Sequence, residues 1–383
     1  MSAPIVLAAG GTGGHVFPAQ ALAAELAARG RALALITDRR GADFEGAIDA
    51  SAIHAVPAAS VSGRGFAGRL RGLAAIGLGV LQARRLLGRL GPAGVVGFGG
   101  YASVPAVLAA TRMGLPSVIH EQNAVLGRAN RLLAPRVRAI ATSFAATAQI
   151  CPADAGKAEH TGNPVRPAIA ALADLPYRAP EADGRLELLI TGGSQGARVM
   201  SDVVPAALAA LPEGLRRRLH VVQQCRAEDL DRVCASYAGA AIEAELAPFF
   251  GDLAARLAAA HLVIARAGAS TIAEIAAAGR PAILVPYPHA TDDHQSANAN
   301  AFAASGAGWP MPEPTFTPEA LAARVARLAE APAGLAEAAR AARAEGRADA
   351  ARRLADLVER RMPSNGGRGA NGATNGAAEG IAA

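Results

Sequence analysis

Short apolar runs alternate along most of this chain with longer stretches that carry apolar residues at helical spacing. Residues 4–9 (PIVLAA) read as a fully buried strand, and residues 19–29 hold Leu22 and Leu26 one turn apart, with Gly30 just past the end. Further strand candidates fall at 32–37, 94–99, 116–120 and 137–142, then at 186–191, 220–225, 241–246, 262–266 and 282–287, with helical stretches between them. This alternation predicts an α/β fold of parallel sheets covered by helices. Between the two sets, residues 161–167 (TGNPVRP) lead into a proline-rich, poorly patterned stretch to about residue 184, and a domain boundary is expected there.

Each half opens with a glycine-rich turn after its first strand, GGTGGH at 10–15 and TGGSQGAR at 191–198. A second turn in the first half, GFGGYASVPA at 97–106, echoes the Gly-x-Gly-Gly and later Pro-Ala of 11–19. Such a loop opening a helix aims unpaired backbone N–H groups at one point, where the helix dipole adds positive charge, so an anionic group such as phosphate is the natural guest. Two common phosphate loops are excluded: GxxxxGK[ST] lacks its lysine, and GxGxxG started at Gly11 would need glycine at Val16. In open α/β sheets the ligand lies outside the strand carboxyl ends, so two such domains facing each other would enclose a cleft.

Composition narrows the partners. A chain of 383 residues, half apolar, suffices for two domains. The net charge of +6 comes from arginine, with Lys157 the only lysine, which fits either a coding bias or an anionic partner. Aromatic residues are scarce, which disfavours base-stacking surfaces and nucleic acid. Cys151, Cys225 and Cys234 form no CxxC pair and no even set, arguing against a disulfide framework or a thiolate zinc site and for a reducing cytoplasm. Neither a charged-then-apolar leader nor an apolar run near the roughly 20 residues that span a bilayer is found, so neither export nor a membrane-spanning segment is expected.

Several polar clusters stand at predicted strand ends. His15, beside Gly13 and Gly14, is either a general base or ligand contact, its type titrating near working pH, or a packing residue. HEQN at 120–123 pairs an imidazole with Glu121 and offers Asn123 to a sugar hydroxyl, or is a helix-capping loop. In RAGASTIAE (266–274), Ser270 and the residues before it let a diphosphate approach a helix start, with Glu274 one turn on for ribose hydroxyls; an ordinary capped helix would look the same. DDHQSANAN (292–300) presents His294, Gln295 and Asn298 to a sugar, or simply caps a helix. Asp229-Leu-Asp231 has the DxD spacing of metal-diphosphate sites but falls in an amphipathic helical stretch, and no metal site is expected. Residues 63–90 mix Phe66, Leu70, Leu73, Leu78 and Leu81 with Arg64, Arg69, Arg71, Arg84, Arg85 and Arg89, which suits either an anionic membrane surface or a core helix with a charged rim.

In this order, GGTGGHVFPA, GFGGYASVPA, HEQN, GNPVR, GGSQGAR, RAGASTIAE and PYPHATDDHQSANA resemble the MurG family, which adds N-acetylglucosamine to an undecaprenyl-linked N-acetylmuramyl-pentapeptide in peptidoglycan synthesis. The resemblance covers about residues 4–360. It implies a GT-B fold of two Rossmann-like domains, here divided as 1–163 and 164–345, with a helix 346–362 returning to the first domain; the tail 363–383 is expected to be disordered from its low-complexity composition. It further implies UDP-N-acetylglucosamine as donor, inversion without a metal or other cofactor, and peripheral attachment to the cytoplasmic face of the inner membrane. By position it assigns Thr12, Gly13, Gly14, Ser194, Gln195, Ser270 and Arg166 to the substrate phosphates, Phe249 and Phe250 to the uracil, Glu274 to the ribose, and His294, Gln295, Asn298 and Asn123 to the sugars. Gly100 and Tyr101 fall on the acceptor side, and His15 with Glu121 supplies the proton acceptor. Val104 departs from a family glycine and His294 from a glutamine found in some members. The rival readings are a UDP-N-acetylglucosamine 2-epimerase and a non-catalytic nucleotide-sugar-binding subunit.

Overall fold

The computed structural model describes residues 3–10, 13–38, 47–58, 66–193 and 196–362. One sheet holds β1 (Ile5–Ala8), β2 (Leu33–Thr37), β3 (Ile53–Ala55), β4 (Gly94–Gly97), β5 (Ser117–Glu121), β6 (Ala139–Thr142) and β7 (Ala158–His160), in the order β3-β2-β1-β4-β5-β6-β7. The second holds β8 (Leu186–Thr191), β9 (Leu219–Gln224), β10 (Glu243–Ala247), β11 (Leu262–Arg266), β12 (Ala282–Val285) and β13 (Gly308–Pro310), in the order β10-β9-β8-β11-β12-β13. Every pairing between these strands is parallel. The expected α/β class and GT-B architecture are therefore met.

Both faces of each sheet are covered, which is why the central strands are continuous apolar runs and not alternating ones. In β1, Val6 and Ala8 face a core shared with Val104 and Val107 of the helix Gly100–Arg112, while Ile5 and Leu7 meet Leu22 and Leu26 of the helix Gly13–Ala28. In β8, Leu188 and Ile190 pack with Met200 and Val204, and Leu189 packs on the other face with Ile272 and Ile275. Chains leaving the adjacent strands β1 and β4, or β8 and β11, thus diverge to opposite faces and open a crevice at the strand carboxyl ends. Each sheet has one such switch point, and each is bordered by glycine turns.

The first helix begins at Gly13, six residues earlier than the apolar spacing predicts, and carries Pro18 inside it. Pro105 occupies the matching sixth position of the helix Gly100–Arg112. Each proline removes one i→i−4 bond, to Gly14 and Tyr101 respectively, and so blurs the helix pattern close to its start.

The last helix, Ala350–Arg361, follows the second sheet in sequence but packs on the first. Leu354, Leu357, Val358 and Met362 are fully buried in the cluster that contains Ile5 and Leu22, and Arg29 pairs with Asp356 at 2.7 Å and Glu359 at 2.9 Å. The basic helix Phe66–Leu90 turns Ala83, Leu86 and Leu87 inward but leaves Leu78 and Leu81 more than half exposed, beside exposed Arg84 and Arg85. It is a core helix and also presents an apolar, basic outer face. The side chains of Arg64, Phe66, Arg69, Leu70, Arg71 and Leu73, and the whole of 363–383, lie outside the described residues.

Candidate active site at the facing sheet ends

His15 is the third residue of the first helix, and its ring lies against the turn that follows β4. A Cβ on Gly100, where φ is +66°, would come 3.4 Å from His15 Nε2, and one on Gly99 would come 3.5 Å from Cε1. Only glycine combines that backbone with that closeness. His15 therefore sits at the switch point, on the wall of a cleft of about 300 Å³ that also presents Tyr101, Asn123, Arg128, Asp292 and His294.

The HEQN segment lies half inside β5, since His120 and Glu121 are its last two residues. Glu121 is 2 % exposed and its carboxylate is fully engaged. Oε1 accepts from the Asn123 backbone N–H at 3.0 Å and from its side chain at 3.1 Å, and Oε2 accepts from the Gly127 N–H at 2.9 Å and Asn130 Nδ2 at 2.8 Å. With four donors on two oxygens, Glu121 shapes the β5 loop. His120 is entirely buried, and desolvation holds its pKa down at about 4, against the backing of a 3.1 Å bond to the Gly162 carbonyl. Unfolded chain takes up this proton near pH 6.5 and the folded protein only near 4, so stability is full above 6.5 and falls by about 3 kcal/mol across that window. Urea unfolding at pH 7 and pH 5 should show about 2 kcal/mol of this loss, and His120→Gln should remove part of it.

Asn298 links the two halves. Fully buried, it accepts from the Ala124 N–H at 2.7 Å and donates to Asn123 Oδ1 and to the Ala267 carbonyl, both at 3.1 Å. Across the same gap, Asp292 is held by Arg128 at 2.8 Å and by Arg131. Asp292 and Asp293 both adopt left-handed backbone, φ +54° and +49°, immediately before the helix His294–Ala304. Strain of this kind persists only where surrounding contacts enforce it. His294 donates from Nδ1 to the Thr291 carbonyl at 2.7 Å, and Gln295 accepts from the Tyr287 N–H at 3.0 Å.

At the second switch point the helix Ala269–Ala278 starts after Gly268 with no side-chain cap, and Ser270 Oγ is buried without a partner. The first N–H groups of that helix lie at the strand end, where an anion would bind. Glu274 is 8 % exposed and bound bidentately by Arg166 at 2.8 and 3.0 Å, while the guanidinium lies 5.6 Å from the Phe17 ring centre. A Cβ on Gly192 would come 2.3 Å from the Ala197 nitrogen, so the third glycine turn folds tightly on itself. Phe250 is buried under Arg256, 4.0 Å above its ring, and Phe249 is 69 % exposed. Thr12, Ser194 and Gln195 lie outside the described residues.

The glycosyltransferase family 28 N-terminal domain matches residues 5–142 and its C-terminal domain matches 187–354. A protein of Rhodospirillum centenum named UDP-N-acetylglucosamine–N-acetylmuramyl-(pentapeptide) pyrophosphoryl-undecaprenol N-acetylglucosamine transferase is 59 % identical over 93 % of this chain and 94 % of its own. A protein of the same name from Paramagnetospirillum magneticum is 56 % identical over 95 % and 98 %. The crystal structure of Acinetobacter baumannii MurG superposes with a TM-score of 0.75 at 30 % identity, covering 93 % of this chain and 99 % of that one. The chain belongs to the MurG family. It is a glycosyltransferase, as the matched residues of both its halves require.

Among the described residues, no group of three or more His, Cys, Asp or Glu side chains is placed to hold a metal ion. Of the DxD pair, Asp229 binds Arg226 at 3.0 Å and Arg232 at 2.9 Å, while Asp231 lies exposed on the helix that follows. Among the described residues no helix is long and apolar enough to cross a membrane. Sequence reasoning missed three parts of this MurG-family site. Gln122 was visible only as a member of HEQN, Asn130 stands in no motif, and the Arg128–Asp292–Arg131 contact joins residues more than 160 positions apart.

Proposed function

We propose that this enzyme transfers N-acetylglucosamine from UDP-N-acetylglucosamine to the C4 hydroxyl of undecaprenyl-pyrophosphoryl-N-acetylmuramyl-pentapeptide, converting lipid I to lipid II with inversion and without a metal. The observation that carries the reading is the opposition of two switch points, one bearing His15 and the other an uncapped helix start with an unpartnered Ser270 hydroxyl. The relatives' names support the substrates. In the reaction, His15 takes the proton of the acceptor hydroxyl as its oxygen bonds to C1 of the donor sugar. The C1–oxygen bond to the diphosphate breaks, and its electron pair leaves with UDP. Charge growing on the diphosphate is met by the helix N–H groups, Ser270 and Arg166, fixed dipoles that need no rearrangement during the step. Asn123, on the cleft wall, orients the sugar, while Asn298, assigned to the sugar by sequence but buried with its oxygen and both amide hydrogens already bonded, holds Asn123 from behind.

The exposed Leu78 and Leu81, flanked by Arg84 and Arg85, suit the headgroup layer of an anionic membrane, each arginine near the surface adding about 1 kcal/mol. We place the enzyme peripherally on the cytoplasmic face of the cell membrane, where a lipid-linked acceptor is reached.

Purified protein with labelled UDP-N-acetylglucosamine and a short-chain lipid acceptor should form the disaccharide lipid, at an undiminished rate in excess chelator. Complete inhibition by chelator would remove the metal-free mechanism. An epimerised sugar released without acceptor would overturn the transfer reading altogether.

A further inference from the structure

Behind His15 lies a chain of hydrogen bonds whose polarity is fixed by atoms that can act in only one sense. One end of the Gln122 amide lies 3.0 Å from the Phe98 carbonyl oxygen and 3.2 Å from the His120 carbonyl oxygen. Carbonyls only accept, so that end must be the NH2 group. The same group, its two hydrogens shared among three acceptors, lies 2.9 Å from His120 Nδ1; an amide nitrogen cannot accept, so Nδ1 must be the unprotonated nitrogen. His120 Nε2, 3.1 Å from the Gly162 carbonyl, carries the hydrogen. His120 is thus neutral in a single tautomer, in keeping with its complete burial.

With its NH2 group committed, Gln122 presents only its carbonyl oxygen to His15 Nδ1, 3.0 Å away. An acceptor at that distance requires a hydrogen on Nδ1. The other ring nitrogen, Nε2, lies over Gly100 on the cleft wall. We infer that Gln122 is a positioning residue for proton transfer: locked by the Phe98 and His120 carbonyls and by His120, it holds neutral His15 as the Nδ1–H tautomer and keeps a lone pair on Nε2 for the acceptor hydroxyl. The inference rests on the reading of His15 as the base. It adds that the base is correctly poised before substrate arrives, by the nearly buried Gln122 and the wholly buried His120 behind it. The chain ends on Gly162, in the segment that joins the two sheets.

The test uses the full chain labelled with 15N-histidine, long-range 1H–15N spectra giving the tautomer of His15, assigned by its absence in His15→Ala. Neutral His15 in the unsubstituted protein should carry its proton on Nδ1. A dominant Nε2–H form, or an even mixture, would overturn the inference whatever the activity. Gln122→Met, close to glutamine in shape but without an acceptor, should let both tautomers appear and lower kcat by about 10- to 10²-fold. That is less than the roughly 10⁴ that a wrongly fixed tautomer costs a serine protease, because a free ring still samples the productive form. KM for the donor should stay within about twofold of the unsubstituted value.

The acid limb of the pH–rate profile should also move to lower pH in Gln122→Met, since the acceptor that steadies the imidazolium Nδ1–H is gone. Tyr101, Glu121, Arg128, Asp292 and His294, the other ionisable side chains on the cleft wall, are retained in this variant. A merely structural glutamine would lower stability or raise KM with the limb unmoved, and that result overturns the inference. Normal turnover by His15→Ala would overturn the base reading and this inference together, whereas the wrong tautomer overturns this one alone.

Discussion

His15→Ala is expected to lower kcat by about 10² to 10⁴ while KM for UDP-N-acetylglucosamine stays nearly constant. The reason is the kind of interaction removed. A general base strengthens its hold on the acceptor proton only as the new glycosidic bond forms, so its loss raises the barrier without weakening the bound donor. The geometry also limits side effects on folding. The ring rests on Gly99 and Gly100 at the mouth of the cleft and is only part-buried, so its removal leaves no large void. Matched melting temperatures would establish this. The acid limb of the pH–rate profile should flatten in the variant, because the group whose deprotonation it reports is missing. A rate within a few-fold of the unsubstituted enzyme would take the base role away from His15. Glu121 is a poor successor, since a carboxylate already accepting four hydrogen bonds has little left for a substrate proton.

Most of the fold was legible because the strands that build the two cores are buried on both faces and written as continuous apolar runs. The three that escaped, β3, β7 and β13, have three residues each and lie at sheet edges, where half the environment is solvent and a run such as Ala158–His160 has no pattern to show. Glycine turns marked the strand ends for a local reason: close approach of chain to chain excludes a Cβ, and that constraint is visible residue by residue. What joins the halves is not local. Asn298 meets Ala124, and Asp292 meets Arg128 and Arg131, through the relative placement of two domains, which no spacing along the chain encodes. The polarity of the Gln122 chain is likewise invisible in sequence, because it depends on which carbonyls surround an amide after folding. HEQN announced a polar strand end but not which member would touch His15. It was the glutamine, not the glutamate, that folding brought within 3.0 Å of the ring.

Glu274→Ala is expected to raise the Kd for UDP and KM for UDP-N-acetylglucosamine by about 10²-fold, with a smaller change in kcat. In the proposed donor site this carboxylate accepts from the ribose hydroxyls, and hydrogen bonds to a charged group contribute about 1.5–3 kcal/mol each. Two such bonds, less the cost of releasing the present partner, leave roughly 3 kcal/mol, or about two decades of affinity. The present partner is Arg166, which grips Glu274 with both nitrogens before any nucleotide is bound. Under the proposed reading donor entry is an exchange, in which the diphosphate draws Arg166 away and the ribose replaces it on Glu274. The exchange makes the two residues separable by experiment. If Glu274 served only to aim Arg166, then Glu274→Ala, Arg166→Ala and the double variant would lose the same affinity. If each meets its own part of the donor, the double variant loses at least the sum of the two, exceeding it by the cost of parting the ion pair, which each single variant is spared. A donor lacking the ribose 2′-hydroxyl sharpens the test. It should bind the unsubstituted enzyme more weakly than UDP-N-acetylglucosamine does, yet bind Glu274→Ala equally well. Undiminished discrimination in that variant would place the ribose elsewhere and with it the whole orientation of the nucleotide.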